Sequence, residues 1–139
     1  MNRFLFSTLL LCVWCLTGCW QNVQFSGKIV YDDDDAPLTV GTVVFTTETF
    51  QAEGPLMSDG TYRLGSLSPK DGLPPGTYTV FVDGAAEYLE DGTVIPFIHP
   101  DYLKRTTTPL TCVVERSGIR TFDIRVPRPP VGRVPGTKQ

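Results

Sequence analysis

Histidine is almost missing from this chain: among 139 residues there is only His99. A zinc centre takes about three protein ligands, with histidine usually dominant, so the composition does not supply one. Long apolar runs are missing too. The longest apolar run, residues 4–15, is shorter than the roughly 20 residues a membrane-spanning helix needs. Lys and Arg are outnumbered, 12 against 15 acids, and they do not cluster into the basic face that nucleic acid requires. The chain has no Gly-rich phosphate loop, no serine nucleophile elbow and no Cys/His pairing, so the common hydrolytic and nucleotide-binding chemistries have no foothold. A helical apolar period of useful length is also absent.

What is present begins with an address. Met1-Asn2-Arg3 is a short basic start, and the apolar run after it ends in Leu16-Thr17-Gly18-Cys19. This is the layout of a secretory signal, and its last four residues resemble the lipobox of bacterial lipoproteins. The resemblance implies cleavage before Cys19, whose thiol takes a diacylglycerol and whose amine takes a further acyl chain such as palmitate. Several chains on one residue make a stable anchor, because each buried CH₂ contributes about 0.8 kcal/mol. Residues 1–18 are therefore expected to leave, and residues 19–23 to form anchor and linker. Trp20 follows Cys19 where an aspartate would suggest retention in the inner membrane, so the outer membrane is favoured.

Cleavage changes the rest of the accounting. Cys12 and Cys15 depart and Cys19 carries lipid, which leaves Cys112 without a disulfide partner. It sits in Leu110-Thr111-Cys112-Val113-Val114 and reads as a small buried apolar residue. With Arg3 gone the formal charge moves from −3 to −4.

The body reads as strands. In residues 23–31, Val23, Phe25, Ile29 and Tyr31 alternate with Gln24, Ser26 and Lys28, the period of a half-buried strand. Asp32-Asp33-Asp34-Asp35 and Pro37 stop it. Residues 42–47 are rich in β-branched residues, a short strand follows near residues 50–52, and Asp59-Gly60 turns the chain into Thr61-Tyr62-Arg63-Leu64. Gly72-Leu73-Pro74-Pro75-Gly76 is a rigid turn before Tyr78, Val80 and Val82, the inward positions of another strand. Residues 84–102 read as a long connection. Residues 110–114 and 120–126 read as a final hairpin through Ser117-Gly118, with Phe122, Ile124 and Val126 inward. About seven short strands with turn signals between them predict an all-β chain folded as a single antiparallel β-sandwich. Residues 127–139 form a basic, proline-rich tail with too little apolar surface to order itself.

Several of these pieces together, Gly27-Lys28-Ile29-Val30-Tyr31, Ala36-Pro37-Leu38, Gly41-Thr42-Val43-Val44-Phe45, Asp59-Gly60-Thr61-Tyr62-Arg63-Leu64 and the Gly72 to Val80 run, resemble the carboxypeptidase regulatory-like domain. That resemblance implies a transthyretin-like (prealbumin-like) β-sandwich over residues 24–126, also similar to collagen-adhesin repeats. It implies no catalysis. The zinc carboxypeptidases that carry such a domain work through a separate zinc domain, and the hydroxyisourate hydrolases of this shape use several histidines and a C-terminal tyrosine motif, whereas this chain ends Gly136-Thr137-Lys138-Gln139.

Weaker candidates remain. Asp32, Asp33, Asp34 and Asp35 could offer oxygens to Ca²⁺ but lack the spacing of an EF-hand loop; the alternative is a solvated acidic loop. Adhesin-type sandwiches can join a first-strand Lys to a last-strand Asp, and Lys28 and Asp123 hold those strands here, yet both fall on the polar side of the alternation. His99 reads as a loop histidine. The expectation is a non-enzymatic module without cofactor, held to the membrane by lipid and meeting another envelope protein or cell-wall polymer through its loops or an edge strand. The alternative is a carbohydrate- or small-ligand-binding module using Tyr88 and Tyr102 as a platform. With an odd number of antiparallel strands, the basic tail leaves the end opposite the anchor.

Overall fold

A computed structural model describes residues 22–66 and 71–130; the lipobox residues Leu16, Thr17, Gly18 and Cys19, and Trp20, lie outside them. The alternation of the first strand is realised. β1 (Ser26–Tyr31) buries Ile29 completely and exposes Lys28. β2 (Thr42–Thr46), β3 (Gln51–Pro55), β4 (Thr61–Arg63) and β5 (Gly76–Asp83) follow. After β5 come β6 (Ala86–Tyr88), β7 (Val94–Pro96), a 3-10 helix at Pro100–Leu103, β8 (Leu110–Val114) and β9 (Ile124–Val126).

Two sheets face each other. One has the order β4-β1-β9 and the other β3-β2-β5-β8. Phe25, Ile29, Tyr62, Leu64, Ile124 and Val126 come from the first side of the core; Val43, Phe45, Tyr78, Val80, Val82 and Val114 come from the second. Phe45 is the centre of this core, with the rings of Phe25, Tyr62, Tyr78 and Phe122 all between 5.9 and 6.4 Å from it. Each such fully buried side chain contributes roughly 1.5–3 kcal/mol, which is what holds two small sheets together. The turn before β5 is tied to the core by Tyr78, whose hydroxyl donates to the Pro74 carbonyl at 2.6 Å. Burial pushes that phenol up to about 12.

The chain is an all-β sandwich, as its periodicity predicts, but four details differ from the sequence reading. First, residues 84–102 are not a plain connection, because they hold the β6–β7 hairpin and the 3-10 helix, and this raises the strands to nine among the described residues. Three-residue strands are too short to show a period, although Asp91-Gly92 marked their turn. Second, the strand near residue 50 runs on through Gly54 and Pro55, which an edge strand tolerates. Third, β8 and β9 are not a hairpin: β8 pairs with β5, while β9 crosses to the other sheet and pairs with β1 in parallel. The turn at Ser117-Gly118 exists, but a turn signal cannot say which edge the next strand will meet; here the backbone of β1 takes it, with Ser26 N–H donating to the Arg120 carbonyl and Phe122 N–H to that of Ser26. Fourth, residues 127–130 are among those described, and Arg128 in them pairs with Asp33 and Asp34.

The parallel pairing still sends the C-terminal segment away from the start of β1. Tyr31 lies opposite Val126, so the chain enters β1 at one pole and leaves β9 at the other.

Candidate functional site

Two features gather around the pole where β1 and β9 end, and a third runs along the sides of the larger sheet. The first is the acidic turn. Tyr31 closes β1, its hydroxyl donates to the Phe97 carbonyl at 3.0 Å, and the Arg128 guanidinium lies over its ring at 3.9 Å. The same guanidinium forks onto Asp33 at 2.8 Å and Asp34 at 2.7 Å, and Arg125 reaches Asp35 at 2.6 Å. The Ala36 amide donates to the Asp34 carboxylate, and that bond with the Arg128 contact holds the carboxyl below its usual range. Three of the four carboxylates proposed for Ca²⁺ are thus matched with arginine. Among the described residues no group of three or more His, Cys, Asp or Glu side chains is arranged to hold a metal. A planar fork over an aromatic face suits arginine in a way lysine would not match.

The second feature is the β6–β7 hairpin, whose base is fixed beside the acidic turn. Phe97 N–H donates to the Ala85 carbonyl, and His99 N–H to that of Pro127. The hairpin carries Tyr88, 70% exposed, together with exposed Leu89 and Ile95. Tyr102 does not share that face: it lies in the 3-10 helix, packed against the core and edge-on to His99. The structure therefore does not bring Tyr88 and Tyr102 together as one platform.

The third feature is the edge of the larger sheet. β3, at one side, is joined to the smaller sheet through Glu53 and Gly65, which exchange two backbone bonds of 2.8 and 3.0 Å. β8, at the other side, pairs only with β5 among the described residues and exposes Val113 by 61%.

Lys28 and Asp123 do meet, though not as side chains in a dry core. The Lys28 amide donates to the Asp123 carboxylate at 3.1 Å, and both residues are exposed. They border a shallow groove of about 640 Å³ that also includes Met57, Thr61 and Arg63. Tyr62 touches this groove but is buried, and its hydroxyl donates to the Phe122 carbonyl. Burial pushes that phenol strongly up. Gly27 makes the bond possible, because a Cβ there would collide with the Phe122 carbonyl.

His99 caps the 3-10 helix, its Nδ1 accepting from the Asp101 amide at 3.3 Å. It is a hydrogen-bonded loop residue. Cys112 is buried and free, and burial pushes its thiol up to about 11, the behaviour of a core residue. The hairpin, the Arg128 seat and the role of Gly27 were not read from the sequence. Only the first had a local signal, Asp91-Gly92.

No protein-family model matches the chain, and no curated protein matches it significantly. Among solved structures, it is similar to two crystal structures of BcpA, the major pilin subunit of Bacillus cereus, one of them a point variant. Identity is 14% and the TM-score 0.49 for both, with 78% of this chain covered. The chain spans about 30% of the length of those pilin chains.

Proposed function

We propose that this chain is an exported, lipid-anchored module of the cell envelope. Its β-sandwich, of the carboxypeptidase regulatory-like type, serves protein interaction and not catalysis. The observation that carries the reading is the contrast between the two sides of the larger sheet, one sealed and one ending in β8 with an apolar outer residue. An open edge is a surface to which an extended segment of another protein can add a strand. The only histidine and the remaining thiol are both engaged in structure, which supports a non-catalytic role.

The anchor reading rests on Leu16, Thr17, Gly18 and Cys19, and the separation of the two poles supports it. A lipid ahead of β1 would hold the start of β1 toward the membrane and turn the acidic turn and hairpin outward. No helix among the described residues is long and apolar enough to cross a membrane. Replacing Cys19→Ser is expected to release the protein from membranes, and intact mass of the native form should show diacylglycerol and acyl chains on Cys19. A Cys19→Ser protein that stays in the membrane fraction overturns the anchor. For the module, a photo-crosslinking residue at Val113 is expected to capture an envelope protein that the same residue at Arg63 does not. Equal capture at both positions overturns the edge as the binding surface.

A further inference from the structure

At the other pole, where the chain enters β1, two arginines have no acid to answer them. Arg63 closes β4 opposite Ser26, and Thr121 stands opposite Ser26 on the far side as an isolated parallel bridge. The Ser26 amide also donates to the Arg120 carbonyl at 3.2 Å. Ser26 is thus a short residue with a strand on each side, and the backbones of Arg63 and Arg120 stand two strand spacings apart across it, about 10 Å. It faces outward with Lys28, because Phe25 and Ile29, which alternate with them, are buried. A small cleft of about 270 Å³ forms here, with Gln24, Ser26, Arg63, Arg120 and Thr121 around it.

The charges of this cleft are all of one sign. No Asp or Glu among the described residues lines it, and neither Arg63 nor Arg120 takes part in an ion pair among those residues. Arg125 and Arg128, at the opposite pole, are both matched with Asp. The next acid after Arg120 is Asp123, which borders the neighbouring groove and accepts from the Lys28 amide. Arg120 is also held in place: its guanidinium donates to the Arg116 carbonyl at 3.3 Å, which leaves its other N–H groups for a ligand. In a chain of net charge −3, two unmatched guanidinium groups in one cleft make a localised positive site.

The lining selects the ligand. Both charged groups are planar forks of donors, and Ser26 and Thr121 add hydroxyls. A carboxylate has only two oxygens, and a single fork satisfies it. Two forks with hydroxyls beneath them call for an anion that carries three or four oxygens about a tetrahedral centre.

We propose that Arg63 and Arg120 form a clamp over Ser26 for the phosphate group of a mono- or diester. The clamp goes beyond the proposed interaction role of β8 and does not depend on it. Phosphate reaches this pole from two sources, a phospholipid headgroup or a soluble ester. Only the first rests on the lipid anchor proposed above, which holds the start of β1 toward the bilayer.

The test is NMR on the full-length protein in maltoside micelles, with chloride holding the ionic strength constant so that screening does not change. Inorganic phosphate is titrated in one arm, and phosphatidylglycerol is added to the micelles in the other. A saturable shift of the Ser26, Arg63 and Thr121 amides and of the Arg120 Nε–H is expected: in the first arm for a soluble source, in the second alone for a headgroup. Arg63→Gln and Arg120→Gln are each expected to weaken binding about tenfold, since each removes hydrogen bonds to a charged group. Lys104→Gln removes the same charge at the end of the 3-10 helix and is expected to leave binding unchanged. No saturable shift in either arm overturns the clamp. Equal weakening by all three variants also overturns it, since net charge alone would then account for the effect. The first arm needs no lipid on Cys19, so a failed anchor and a failed clamp are told apart.

Discussion

The two sides of this sandwich are built from similar strands and end in opposite ways. On one side β3 and β4 approach so closely that Gly54 has no room for a side chain: a Cβ there would lie 2.6 Å from the Arg63 carbonyl. That approach lets Glu53 and Gly65 trade backbone bonds and seal the sheets together. On the other side β8 and β9 belong to different sheets, and residues 115–123 span the gap between them. The sealed side satisfies its backbone internally, while the open side leaves a row of backbone groups to solvent or to a partner. Sealing one side only gives a rigid scaffold that still has an edge to offer.

The most severe way to break this contrast is Gly54→Val. The added atoms must displace the Arg63 backbone, and a loss of about 3 kcal/mol in urea unfolding is expected. Next comes the bolt that ties β4 to the segment before β9. Tyr62→Phe removes the donor to the Phe122 carbonyl and leaves that oxygen short of a partner, at a cost of about 1–3 kcal/mol.

A pH effect follows from the core. The Cys112 thiol titrates near 9.0 when unperturbed and is pushed up to about 11 in the fold, so the folded state binds the proton more tightly. Stability from this group is complete below pH 9 and is lost as pH rises toward 11. Cys112→Ala is expected to flatten that part of the decline, read as urea midpoints at two alkaline pH values.

At the pole, Arg128→Ala is expected to lower the thermal midpoint slightly at low salt and to make no difference at high salt, since its ion pairs are surface pairs. The smallest effect on stability belongs to the open edge. Val113→Lys should change unfolding by no more than about 0.5 kcal/mol, yet abolish strand addition if β8 is the docking edge.

Much of the fold was legible because burial leaves a period. Val43 and Phe45, or Tyr78, Val80 and Val82, announce their inward face at every second residue. Turn chemistry was equally readable at Asp59-Gly60 and at the two prolines before Gly76. What escaped were contacts between distant residues. Nothing around Asp33 signals Arg128, 95 residues away, and nothing around Ser117-Gly118 shows that the strand after it turns to β1 instead of back along β8. The candidate site suffered most, because it is made of one strand end, one short hairpin and one segment that looked like a featureless tail.

By itself the sequence determined which residues face inward and where the chain turns. Only the tertiary structure decided which edges meet, that β9 lies parallel to β1, and that an arginine is seated on Tyr31. The reason is physical. Alternation is a local property of a pleated chain, whereas the neighbour of an edge is chosen by backbone hydrogen bonds and side-chain fit across the whole core.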